Sequence, residues 1–81
     1  MQIKNPAKVL SFGRHIERMR MARELTQEQL AERSALAIDT IREIEAGTIS
    51  ASLDALRRIS RGFGVSLAEL FEGFERQESG T

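Results

Sequence analysis

Residues 26–47, TQEQLAERSALAIDTIREIEAG, hold two short helical patterns separated by three small or apolar residues. Thr26 supplies a hydroxyl as N-cap, and Gln29, three residues on, completes a capping box in which two otherwise unpaired N–H groups are satisfied reciprocally. The first of these helices therefore starts at Gln27, with Leu30 and Ala31 on its inward stripe. It ends near Ser34, where Ala35, Leu36 and Ala37 interrupt the polar face. Leu36, Ile41 and Ile44 resume the apolar phase, which turns a second helix, Ile38 to Ala46, across the first. Gly47 then stands where a left-handed C-cap is wanted, a conformation that glycine enters without steric cost.

Two helices crossing at so short a turn make a helix-turn-helix, whose second helix is the candidate for the major groove of DNA. The rest of the chain limits what else it can be. Its 81 residues, 41% hydrophobic, suffice for one core that folds without metal or disulfide support. It has no cysteine, so thiol-ligated zinc is excluded. No signal peptide and no membrane-length apolar run is present, and the expected location is the cytoplasm. Twelve basic residues balance twelve acidic ones. They are unevenly placed: residues 1–24 carry Lys4, Lys8, Arg14, Arg18, Arg20 and Arg23 against Glu17 and Glu24, whereas residues 25–50 carry Arg33 and Arg42 against Glu28, Glu32, Asp39, Glu43 and Glu45. The second helix of the motif is acidic, so it would read base edges more than it is drawn to phosphate.

Upstream, Asn5-Pro6 reads as an N-cap followed by proline at the first helical position. A helix from Pro6 to Arg23 follows, with Val9, Phe12, Ile16, Met19 and Ala22 on one stripe. Gly13 weakens it by about 1 kcal/mol relative to alanine unless a neighbouring helix packs close there. Leu25 plugs the join. Downstream, Ser52 caps a fourth helix, Leu53 to Arg61, with Asp54 in its first turn and Leu53, Leu56 and Ile59 inward; Gly62 is expected to stop it. Ser66 and Glu69 form a second capping box for a fifth helix bearing Leu67, Leu70, Phe71 and Phe74. The expected division is an N-terminal segment with the start of the first helix (1–11), the helix-turn-helix domain (12–74) and a flexible tail (75–81).

Five helices phased in this way resemble the lambda-repressor/Cro-like (XRE-type) family of DNA-binding domains, an all-α five-helix fold. The resemblance spans Phe12 to Phe71 and rests on Leu25-Thr26-Gln27-Glu28-Gln29-Leu30-Ala31, on Thr40-Ile41-Arg42-Glu43-Ile44-Glu45 with Gly47, and on Gly64-Val65-Ser66-Leu67 through Leu70-Phe71. It implies that Gln27 bonds a DNA phosphate and that Ala37, Ile38, Asp39, Arg42 and Glu43 fall at major-groove positions. Thr40, Thr48 and Ser50 fall where the DNA backbone is touched. Arg20 and Glu45 match a pair tying the first helix to the third. The chain departs from the family at three places. Ala35 replaces a turn glycine, Ala37 replaces a capping side chain, and Ala51 replaces a proline.

The implied function is a sequence-specific transcriptional regulator, similar to phage repressors or the controllers of restriction–modification systems. It would bind double-stranded DNA as a homodimer on half-sites about one helical turn apart. Leu67, Leu70, Phe71 and Phe74 are the candidate dimer interface, since they exceed what a small core absorbs. The alternative is a protein-interaction module, such as an antitoxin, whose acidic third helix faces a protein partner. His15 has no second metal-ligating partner and is expected at the surface or near phosphate. Met19 reads as core and Met21 as a partly exposed position. Glu28 and Glu32 form a solvated i, i+4 pair without a pocket or nucleophile. No enzyme, cofactor, metal, membrane or small-molecule role is expected.

Overall fold

The computed structural model describes residues 6–79, which form five helices: α1 (Pro6–Ala22), α2 (Gln27–Ser34), α3 (Ile38–Ala46), α4 (Leu53–Phe63) and α5 (Leu67–Ser79). The Asn5 cap expected for α1 lies outside these residues. Both expected capping boxes are present. Gln29 N donates to Thr26 Oγ1 at 3.0 Å while Thr26 N donates to Gln29 Oε1 at 2.9 Å. At α5, Glu69 N donates to Ser66 Oγ and Ser66 N to Glu69 Oε1, at 3.0 and 2.8 Å. The Ser66 backbone N–H, more than its hydroxyl, holds the Glu69 carboxyl below its ordinary pKa. A lowered folded-state pKa means this cap is complete at neutral pH and is lost as acid protonates the carboxyl. Ser52 caps α4 by accepting from Ala55 N at 3.1 Å.

The first four helices end in the same hydrogen-bonded device. In each, the N–H of the residue after the cap reaches back five positions and the preceding N–H closes the tighter bond, the Schellman pattern. The paired bonds are Leu25 N to Arg20 O with Glu24 N to Met21 O, Leu36 N to Ala31 O with Ala35 N to Glu32 O, Thr48 N to Glu43 O with Gly47 N to Ile44 O, and Val65 N to Ser60 O with Gly64 N to Arg61 O. The pattern needs one left-handed residue. Gly47 and Gly64 supply it at φ 74° and 75°, but Glu24 and Ala35 adopt it at φ 55° and 54° against their Cβ atoms. The departure from glycine at Ala35 is thus met by strain and not by a different turn. Arg58 steadies that turn by donating from Nη1 to the Ala35 carbonyl at 3.3 Å.

Removing the strain at Ala35 has a predictable result. A left-handed alanine costs about 1–2 kcal/mol, and glycine returns roughly 0.5–1 kcal/mol of that as unfolded-state entropy. Ala35→Gly is therefore expected to raise stability by about 0.5–1 kcal/mol, seen as a rise of about 3–6 °C in thermal unfolding. An unchanged or lower midpoint would show that the turn holds no such strain.

Packing differs from the expectation at several points. Gly62 does not stop α4; the helix runs through it to Phe63 and the left-handed stop is Gly64. Gly62 instead lets α4 approach α2, since a Cβ there would come within 2.6 Å of the buried Ser34 Oγ. Gly13 plays the same part between α1 and α3. His15 is buried, not at the surface, because α5 covers its side of α1. Its Nε2 lies 3.1 Å from the Leu70 carbonyl, which can only accept, and its ring is flanked by Phe12 and Phe74. The α1 stripe ends at Met19, leaving Ala22 exposed. At the other end, α5 runs on to Ser79 past the expected tail boundary, because Glu75-Arg76-Gln77-Glu78 are strong helix formers and no glycine intervenes before Gly80. Gly80 and Thr81 lie outside the described residues.

The core joins Phe12 and Ile16 of α1, Leu25, Leu30 of α2, Ile41 and Ile44 of α3, Leu56 and Ile59 of α4, and Leu70 of α5. It brings α1 against α3, and α2 against both α3 and α4. That arrangement fixes which side of α3 faces out.

Candidate nucleic-acid interface

On α3 the buried residues are Ile41, Ile44 and Glu45, with Ile38 half-buried against the core. The exposed ones are Asp39, Arg42, Glu43 and Ala46, which recur at the three- and four-residue steps of a single helical face. Three of the five expected groove positions therefore share one outward stripe. Ala37 sits exposed at the head of α3, and Ile38 at the edge of the stripe, its side chain partly committed to the core. No side chain caps the α3 N-terminus, as expected from alanine at position 37.

Arg42 Nη1 lies 3.4 Å from Asp39 Oδ1, and both side chains remain more than half exposed. A pair this open is worth little to stability. It leaves most of the Arg42 donor fork available, and that fork matches the O6 and N7 acceptors of guanine. Asp39 and Glu43 can accept from the cytosine amino group. Thr48 donates its hydroxyl to the Glu43 carbonyl at 3.2 Å, which stiffens the loop leaving α3. Thr40 and Ser50 are half-buried.

Behind this face lies a charged knot. Arg20 of α1 grips Glu45 of α3 with two donors, Nε to Oε2 at 2.8 Å and Nη2 to Oε1 at 3.1 Å, while its Nη1 donates to the Leu25 carbonyl at 2.7 Å. The Glu45 side chain is only 3% exposed. The expected Arg20–Glu45 pair is thus formed, and the two-donor fork supplies the geometry that a buried carboxylate requires. What the sequence reading missed is a third member: Gln27 Nε2 donates to Glu45 Oε1 at 3.0 Å. No local signal marks this contact, since the residues are 18 apart and on different helices.

Of the four expected interface residues on α5, Leu70 is withdrawn by the structure. It is fully buried within the single chain and cannot be offered to a second one. Phe74 is half-buried, its ring edge-on to Phe12 at 5.2 Å with the Lys8 ammonium 5.8 Å from its centre. Leu67 and Phe71 keep part of their surface, and Leu67 rims a shallow open depression with Arg57, Ser60, Arg61, Gly64 and Val65. Among the described residues no group of three or more His, Asp or Glu side chains could hold a metal ion, and no helix is long and apolar enough to cross a membrane.

The family model described as "Helix-turn-helix domain" matches residues 11–72. The control protein C.MunI of Mycoplasma sp. is 33% identical over 69 residues, covering 84% of this chain and 93% of that protein. The HTH-type transcriptional activator BcrR of Enterococcus faecalis is also 33% identical, over 66 residues and 82% of this chain, but the chain spans only about a third of BcrR, 32% of its length. Among solved structures, the restriction–modification controller protein C.AhdI from Aeromonas hydrophila superposes with a TM-score of 0.77 at 29% identity, covering 80% of this chain and 98% of that one.

Proposed function

We propose that this chain, which belongs to the helix-turn-helix domain family, is a sequence-specific DNA-binding regulator of transcription of the controller-protein kind. It reads the major groove with the exposed stripe Asp39, Arg42 and Glu43 of α3. The observation that carries this reading is the stripe itself: an arginine fork and two carboxylates on one face of a helix whose opposite face is buried and whose tilt is locked by Arg20 and Glu45. Gln27, at the head of α2, contacts phosphate, with Thr40, Thr48 and Ser50 along the backbone. Such a reader works in the compartment that holds the DNA. The likeness to control proteins favours this over the antitoxin-like reading.

One domain of this size spans few base pairs, so operator specificity calls for two copies. The homodimer proposed here uses the outer surface of the α4–α5 corner, with Leu67 and Phe71 at its centre and Phe74 beside them. Leu67→Glu gives up the part of this side chain that packs against the core, but it stands at the first position of α5, where a carboxylate suits the helix dipole, and folding of the variant is checked by circular dichroism. The substitution is expected to reduce the sedimentation mass at tens of micromolar from two chains to one. A mass of two chains in the variant, or of one in the unaltered protein, would refute this interface.

The test of the function is selection of bound duplexes from a random pool at low and near-physiological salt. Recovery of a palindrome with half-sites about 34 Å apart is the expected result. Recovery of nothing above background at either salt would overturn it and turn attention to a protein partner of α3.

A further inference from the structure

We infer that Glu45 is a positioning residue for DNA contact: it fixes the amide of Gln27 so that one N–H faces a phosphate, and thereby makes the backbone contact of α2 depend on the helix that reads the bases. The inference rests on the proposed phosphate role of Gln27.

A glutamine side chain presents two different ends, a carbonyl that only accepts and an NH2 that donates twice. Toward a phosphate oxygen, which only accepts, one end binds and the other repels. A free glutamine at a helix start samples both arrangements by turning its terminal amide. Here Glu45 removes the choice. Its carboxylate can only accept, so the end of Gln27 that faces it at 3.0 Å must be Nε2. The amide is planar, so its second N–H is held in the same plane, pointing away from the one bound to Glu45. Gln27 is the first residue of α2, where the N–H groups of the first turn have no partner within the helix and attract an anion alongside that second N–H.

Glu45 can do this because it is itself held. Arg20 engages both of its oxygens and is anchored in turn on the Leu25 carbonyl. Oε1 accepts from Arg20 and from Gln27 together, so the three side chains form one hydrogen-bonded unit spanning α1, α2 and α3. Glu45 lies on the buried side of α3, while Asp39, Arg42 and Glu43 occupy the exposed side. A tilt of α3 that misplaces Arg42 over a base therefore also disturbs Gln27 at the phosphate, and the two contacts are made or lost together.

The test is a double-mutant cycle on the selected operator duplex, with Gln27→Ala, Glu45→Gln, the pair combined, and Arg42→Ala for reference. Gln27→Ala is expected to weaken binding on the order of 10²-fold, because a homodimer on two half-sites loses twice a hydrogen bond to a charged group that is worth on the order of tenfold each time. Glu45→Gln offers Gln27 a mixed donor and acceptor and is expected to cost a similar factor. The double variant is expected to bind no more weakly than Glu45→Gln alone. A purely structural Glu45 would cost the same factor whether or not Gln27 is present, and such additivity would overturn the inference. A second readout needs no DNA: the side-chain amide NMR signals of Gln27 in the free protein are expected to shift on Glu45→Gln, and unchanged signals would also overturn it. Should Glu45→Gln not fold, Glu45→Asp takes its place, keeping the charge for Arg20 but withdrawing the carboxylate from Gln27 by one methylene. Undiminished binding by Gln27→Ala beside lost binding by Arg42→Ala would refute the inference alone. Undiminished binding by both would remove the DNA-reading function itself.

Discussion

Gly13→Ala is expected to destabilise this protein by about 2–4 kcal/mol, lowering its thermal midpoint by about 10–25 °C, although alanine is the better helix former. In an exposed helix the same change would add about 1 kcal/mol of stability. The sign reverses because of what lies opposite. A Cβ on Gly13 would overlap the backbone carbonyl oxygen of Ile44 and come within 2.7 Å of that of Glu45. Neither obstacle is the flexible end of a side chain, so α1 and α3 must separate. Separation opens the shared cluster of Phe12, Ile16, Ile41 and Ile44, all of them buried. It also stretches the Arg20–Glu45 pair, which joins the same two helices. With both losses together, the cost reaches the upper end of ordinary overpacking. Urea or thermal unfolding of the purified variant decides it. A midpoint at or above that of the unaltered protein would mean that α1 and α3 do not pack as closely as described.

Arg42→Ala is expected to reduce affinity for the operator on the order of 10²–10⁴-fold while leaving the fold unchanged. One well-formed arginine–guanine pair is worth about 1–3 kcal/mol, and a homodimer on two half-sites loses it twice. The fold is spared because the side chain is 55% exposed and its pair with Asp39 is open to solvent. Arg42→Lys sharpens the result. Lysine keeps the positive charge but not the planar fork, so it is expected to retain non-specific binding and to lose most discrimination between operator and unrelated DNA. Titration of labelled operator and scrambled duplexes at one salt concentration measures both quantities. Operator affinity within about threefold of the unaltered protein would show that α3 is not the reading helix.

Much of this was legible in the linear chain. The start of α2 at Gln27, the start of α3 at Ile38, the caps at Thr26, Ser52 and Ser66 and the left-handed stop at Gly47 are all written within a few residues of where they act. So is the outward stripe of α3, because a helix with Ile41 and Ile44 inward must turn positions 39, 42 and 43 outward. Gly62 and Gly64 show where local reading stops. Both are glycines near the end of an apolar pattern, and only the approach of Ser34 reveals that the first serves packing and the second serves the turn.

By itself, then, the sequence determined five helices, their caps and the face that α3 turns outward, because those features rest on hydrogen bonds and side-chain steps spanning no more than a few residues. The tertiary structure decided the rest. His15 is buried because Leu70, 55 residues away, lies over it; Leu70 is thereby lost to any dimer surface; and Gln27 is aimed because Glu45 reaches it across a helix crossing. Such contacts depend on how closely two helices approach. That distance is set here by the missing side chains of Gly13 and Gly62 and by the left-handed turns at Glu24 and Ala35, which alanine and glutamate accept only because the assembled core holds them there.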